Sequence, residues 1–130
     1  MGFRFRHHVI DTGLPPGCYA QTALADLGNT GTLEYIVGRQ YGTIYRYRYE
    51  APDRWVRPVL GEQSPSDVGA CVLDVDGDGW LDLVTGGAWY RNSRDPEKPF
   101  DRLVFDADLK GVHDVAAADI DGDGRLEVVT

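Results

Sequence analysis

The chain has 130 residues, 42% of them hydrophobic, and carries a formal net charge of −8. That apolar content excludes a disordered tail, and the length suits a moderate core. The acidic balance argues against nucleic acid and anionic membrane surfaces and favours cations as partners, and no apolar run is long enough to span a bilayer.

The N-terminus, MGFRFRHHVI, lacks the apolar core and small-residue cleavage site of a signal peptide. The stretch FRFRHHVIDTGLPPG reads as strand and turn, with His7 and His8 solvated on an outer strand. ALADLGNTGTLEYIVG follows as strand, loop and strand, with Asp26 leading the loop. In YGTIYRYRYE the period of two puts Tyr45, Tyr47 and Tyr49 on one face and Ile44, Arg46 and Arg48 on the other. The order then repeats: DRWVRPVLGEQSPS, a second loop segment CVLDVDGDGWLDLVTGG led by Asp74, and an aromatic GGAWYRN. It begins a third time with FDRLVFDADLKG and AAADIDGDGRLEVVT, whose loop starts at Asp119. No stretch has helical periodicity.

The leading acids lie 48 and 45 residues apart. Each unit reads as strand, turn, strand, acidic loop, strand, turn, strand, over approximate bounds 1–53, 54–99 and 100–130. The strand before each loop is rich in small residues, as in Thr22, Ala23 and Ala25, in Gly69 and Ala70, and in Ala116, Ala117 and Ala118. That suits the innermost strand of a propeller blade, where strands crowd an axis. Four strands and roughly 40–50 residues per unit define an all-β fold of β-propeller blades, each of four antiparallel strands. The competing architecture is a β-sandwich with coincidental turns. Cys18 and Cys71 sit at positions five residues out of step in their repeats, about 16 Å along a strand. That offset is too long for a bridge, so two free thiols are expected.

The second loop places Asp74, Asp76, Asp78 and Asp82 at positions 1, 3, 5 and 9, and the third places Asp119, Asp121, Asp123 and Glu127 there. Carboxylates so close repel one another, and a hard divalent cation relieves the conflict. Calcium takes six to eight oxygens in a flexible shell, and the backbone carbonyls of Trp80 and Arg125 at position 7 are further candidates. Position 6 is glycine in both, Gly79 and Gly124, as a sharp turn around an ion requires. An EF-hand would need a bidentate Glu at position 12, where Thr85 and Thr130 stand, and flanking helices in place of LDLVT and LEVVT. A single Asp-Gly pair signifies only a tight hairpin, but two four-acid patterns in register mean more. The first loop has Gly28 and Thr30 at positions 3 and 5. Its turn is expected to survive and its metal binding to be lost.

At these residues the chain resembles the FG-GAP/VCBS repeat family, whose integrin α-subunit members form propellers and whose loop runs Asp-x-Asp-x-Asp-Gly-x-x-Asp. The resemblance implies calcium on the hairpin between the first two strands of a blade, and an extracellular or periplasmic setting. About two and a half units are present against the four or so blades that a ring needs. The expectation is therefore an incomplete ring, either part of a longer chain or closed by self-association. The implied function is a non-catalytic, calcium-stabilised module that binds carbohydrate or protein. The alternative is one part of a catalytic propeller such as a polysaccharide lyase or sugar dehydratase, and a third is an adhesive cell-surface module. No Ser-His-Asp order, P-loop or Cys/His metal spacing is present. His113 and Asp114 precede the third inner strand, where a channel mouth would lie, but a lone His there reads first as a turn cap. Trp80, Trp89, Tyr90 and Tyr19 have the chemistry to stack on sugars, though such residues more often pack a core.

Overall fold

The computed structural model describes residues 2–66, 68–109 and 111–130. Among them the regular elements are strands in antiparallel sheets, and no helix is present, so none is long and apolar enough to cross a membrane. The first sheet runs β1 (Gln21–Ala25), β2 (Glu34–Gly38), β3 (Ile44–Ala51) and β4 (Arg54–Val56), with β5 (Val59–Gly61) also paired to β3. The second runs β6 (Cys71–Leu73), β7 (Asp82–Thr85), β8 (Ala88–Arg91) and β9 (Asp101–Val104). The third is the hairpin of β10 (Ala116–Ala118) and β11 (Glu127–Val129).

The three loop hairpins share one register. Ala25 pairs with Glu34, Leu73 with Asp82 and Ala118 with Glu127. In each, the residue before the leading acid faces the acid at position 9, so equal loop length fixes which side chains point inward. Successive sheets adjoin through β1 and β6, and through β6 and β10. Small residues lie at both contacts: Ala23 and Ala25 in β1, Ala116, Ala117 and Ala118 in β10, and Gly69 and Ala70 just before β6, where a Cβ on Gly69 would meet the Val115 amide nitrogen at 2.5 Å.

Two apolar clusters occupy the spaces between sheets. Leu27, Ile36, Ile44, Leu60, Leu83, Tyr90 and Phe100 fill the first, and Cys71, Leu73, Val84 and Val115 form the second. Leu83 and Val84 are neighbours that enter different clusters, so β7 is buried along its whole length. Asp82 and Thr85 are buried there along with Leu83 and Val84, and both polar side chains are hydrogen-bonded. Polar ties reinforce the packing. The buried Gln21 amide donates to Ser64 Oγ at 2.9 Å, to the Gly69 carbonyl at 3.2 Å and to Thr85 Oγ1. The Phe100 amide donates to the Leu60 carbonyl at 2.7 Å, joining the second sheet's segment to the first.

Two expectations need correcting. Residues 2–20 hold no strand, and Phe3 and Phe5 are 90% and 96% exposed. The alternation FRFR has no neighbouring ladder to complete among the described residues, and an unpaired strand is unstable. His7 and His8 are exposed, as expected, but not on a strand. In addition, the segments read as upstream strands of the following unit pair backwards: β4 and β5 lie on β3, and β9 lies on β8. A periodic sequence can be divided at any phase, and here each sheet begins at the strand that leads into its loop. Cys18 is free and exposed, and Cys71 is free and buried, with its thiol pushed up to about 11 by burial.

The N-terminal segment is held at Asp11. Its Oδ2 accepts from the Tyr47 hydroxyl and from Arg57 Nη1, both at 2.6 Å. The Tyr47 bond, the Gly13 amide and Arg57 together hold this carboxyl below its ordinary 3.8. A lowered native value means the anchor is intact above pH 3.8 and is lost as pH falls through the native value. Asp11→Ala is expected to lower the exchange protection of residues 11–18 several-fold at pH 7, and acidification of the unmutated chain through the lowered native value to do the same once the slower intrinsic exchange at acid pH is divided out. Unchanged protection in both would show that Asp11 holds nothing.

Candidate metal centre

The loops are built from the backbone outward. The position 1 carboxylate accepts amides from the far side of its own turn in all three. Asp74 takes the Asp78 and Gly79 amides at 3.0 and 2.8 Å. Asp119 takes those of Gly122 and Gly124 at 2.8 and 3.0 Å. Asp26, in the loop without the acids, takes those of Thr30 and Gly31 at 2.9 and 2.6 Å. Positions 4 and 6 are left-handed throughout: Gly77 and Gly79, Gly122 and Gly124, Asn29 and Gly31. Glycine adopts that conformation freely, and Asn tolerates it better than most residues. The survival of the first turn, expected from its Gly31, follows from these contacts.

Two groups of acids converge. Oxygens of Asp74, Asp76 and Asp78 lie within 4.8 Å of one another, as do oxygens of Asp119, Asp121 and Glu127. Each is an all-oxygen donor set, which suits a hard cation such as calcium and offers nothing to a soft one. Asp82 stands outside the first group. It is fully buried, and its oxygens accept the Val75 amide at 3.1 Å and the Asn92 amide at 2.8 Å. Burial pushes its carboxyl above the ordinary range, against the pull of those two amides. Glu127 makes the equivalent bond to the Ile120 amide at 2.8 Å while keeping its place among the acids. Asp123 accepts the Arg125 amide at 2.8 Å, and Asp78 accepts the Trp80 amide at 2.9 Å. Thus position 5 bonds the amide of position 7 in both loops.

The sequence reading overlooked two basic residues. Arg91 Nε lies 2.8 Å from Asp76 Oδ2, and Arg94 is ion-paired with Asp78. The Arg94 guanidinium, aided by the Trp80 amide, holds the Asp78 carboxyl below its usual range. These arginines offset part of the acid repulsion in the second loop. Their signal was the basic WYRNSR that follows its hairpin, at the end of β8 and just beyond. The first two loops also bond side by side: Asn29 Nδ2 donates to the Gly79 carbonyl at 3.1 Å, and Asn92 Nδ2 to the Leu27 and Leu81 carbonyls at 2.9 Å each.

The other candidates lie elsewhere. His113 Nδ1 is 3.3 Å from Asp114 Oδ2, with both side chains exposed. Tyr90 is wholly buried in the first cluster, and Tyr19 packs its ring 6.3 Å from that of Tyr45. Trp89 lies against the second cluster. Neither the curated proteins nor the solved structures contain a match to the chain. Residues 26–85, from the leading acid of the first loop to the end of β7, match the family described as FG-GAP-like repeat.

Proposed function

We propose that the chain is a calcium-stabilised segment of a β-propeller that presents a binding surface to carbohydrate or protein outside the cytoplasm. The observation that carries this reading is the convergence of three carboxylates at each of two equivalent hairpins whose backbone is already turned for an ion. Asp74, Asp76 and Asp78, with Asp82 or the Trp80 carbonyl, would hold one ion. Asp119, Asp121 and Glu127, with Asp123 or the Arg125 carbonyl, would hold the other. The ion would supply a doubly positive centre that cancels the acid repulsion and ties the loop's two arms together. Since an ordered site exists only in the folded chain, binding stabilises the fold. The four-stranded second sheet, whose β6 adjoins β1 of the first sheet and β10 of the third, supports the blade arrangement. The repeat bounds 1–53, 54–99 and 100–130 belong to the same proposal as a division of the sequence, out of phase with the sheets, in which β4 and β5 pair back onto β3 and β9 onto β8.

Calorimetric titration is expected to find two calcium sites. Extracellular modules bind calcium at about 0.1–1 mM, so 10 mM calcium adds roughly 1.5–3 kcal/mol per site. A chelator should therefore lower Tm by several degrees, and Asp76→Ala with Asp121→Ala should abolish that response. A melting temperature indifferent to chelator and to 10 mM calcium would sink the reading.

A further inference from the structure

The two acidic loops differ in what already faces their carboxylates. In the second, Arg91 Nε lies 2.8 Å from Asp76 Oδ2, and its Nη2 lies 3.9 Å from Asp78 Oδ2. Arg94 is paired with that same Asp78 oxygen, while Asp78 Oδ1 accepts the Trp80 amide at 2.9 Å. Both Asp78 oxygens and one Asp76 oxygen are thus engaged, two of these three by guanidinium groups. In the third loop, Asp121 Oδ1 and Asp123 Oδ1 accept the Asp123 and Arg125 amides at 3.1 and 2.8 Å. Among the described residues, no arginine or lysine pairs with Asp121, Asp123 or Glu127.

The backbone places Arg94 for this contact. It is left-handed, with φ 59°, a conformation that costs a non-glycine residue energy. Asn92 holds it there: Asn92 Oδ1 accepts the Arg94 amide at 2.9 Å, while Nδ2 donates to the Leu27 and Leu81 carbonyls. Asn92 is buried, and its own amide donates to Asp82 Oδ1 at 2.8 Å. The arm that carries Arg94 is therefore tied to both the first and the second hairpin. Arg91 ends β8, whose pairing with β7 sets its distance from the loop.

We propose that Arg91 and Arg94 form a guanidinium latch on the second loop, competing with calcium for Asp76 and Asp78, so that the third loop fills first. The inference rests on the calcium reading and adds an order of filling to it. The two guanidinium groups relieve part of the acid repulsion without an ion. A divalent cation gains less from carboxylates already paired, and it repels the arginines that pair them. Both side chains are nearly half exposed, and such ion pairs are weak. The latch therefore lowers affinity without closing the site.

Calorimetric calcium titration of single-site chains tests this. Asp121→Ala leaves the second site and Asp76→Ala leaves the third. Both should fold, because the first hairpin keeps its turn with Gly28 and Thr30 at positions 3 and 5. The third site is expected to bind several-fold tighter. In the Asp121→Ala chain, Arg91→Gln with Arg94→Gln should tighten calcium roughly three- to thirtyfold, the worth of two partly exposed pairs. Arg54→Gln, which removes the same charge from an exposed pair with Glu50, should leave that affinity unchanged. In the unsubstituted chain, the Arg91 Nε–H resonance should move only as the weaker site fills. Unchanged second-site affinity in the double arginine variant, a second site as tight as the third, or an equal gain from Arg54→Gln would each overturn the latch and leave calcium binding in place. No calcium uptake by any of these chains would remove the latch and the calcium reading together.

Discussion

Arg46→Ala is expected to destabilise the chain by about 3–5 kcal/mol, the range for breaking a buried ion pair by removing one partner. Arg46 and Glu34 are 2% and 5% exposed on adjacent strands β3 and β2. Truncation leaves Glu34 without its counter-charge. It also removes the contact of the guanidinium with the Phe100 ring, 5.4 Å from the ring centre. Burial already pushes the Glu34 carboxyl above 4.5, against the opposing pull of Arg46 and Arg48. A raised native value favours folding at low pH, and that contribution fades as pH rises through the native value. The deficit of Arg46→Ala should therefore shrink as pH is lowered towards 4.5, where Glu34 takes up a proton. Replacing both residues, Glu34→Leu with Arg46→Met, should recover most of the loss, because two apolar side chains need no counter-charge. Urea midpoints at pH 7 and pH 5 give the measurement. A loss under 1 kcal/mol at pH 7 would show that water reaches the pair.

The second large effect is at Tyr90. The side chain is completely buried, its hydroxyl donates to the Glu62 carbonyl at 2.7 Å, and its ring lies directly over Gly61. Tyr90→Ala should cost about 3–5 kcal/mol, as for other buried aromatics. Tyr90→Phe should cost about 1–3 kcal/mol by leaving the Glu62 carbonyl unpaired, unless water replaces the hydroxyl. Gly61→Ala places a methyl group against the ring and should cost about 1–3 kcal/mol by overpacking. The two sites are coupled. With Tyr90 already Ala, the methyl at position 61 meets open space, so the double variant should be less destabilised than the sum, by about 0.5–3 kcal/mol. Strict additivity in denaturant midpoints would contradict the ring-over-glycine packing.

These two positions also show which parts of the molecule the sequence revealed. Periodicity placed Arg46 on the Ile44 face, and Ile44 is buried there. That an arginine shares this burial could not be read from period two alone, because it depends on Glu34 from a strand formed some ten residues earlier. The loops were legible because they are local: Asp26 and Asp74 bond amides four and five residues away, and Asp119 bonds amides three and five residues away. The left-handed position 4 went unremarked, although Gly77, Gly122 and Asn29 are residue types suited to it. Arg91 and Arg94 reach the second loop from the end of β8 and beyond, a tertiary relation that loop spacing cannot encode. The N-terminal alternation misled for the converse reason. It records a capacity to pair, while pairing needs a partner at the right edge.

The amide ring around Asp26 has a consequence for how such repeats change over time. Because the first hairpin keeps its shape with Gly28 and Thr30 where its siblings carry aspartates, that tip is held by main-chain geometry rather than by charge. Loss of the acids there is structurally silent, and their return would require two codon changes rather than a new turn. Each repeat can thus gain or shed carboxylates at its tip without unfolding on the way, so an array of them can vary its acid content one hairpin at a time.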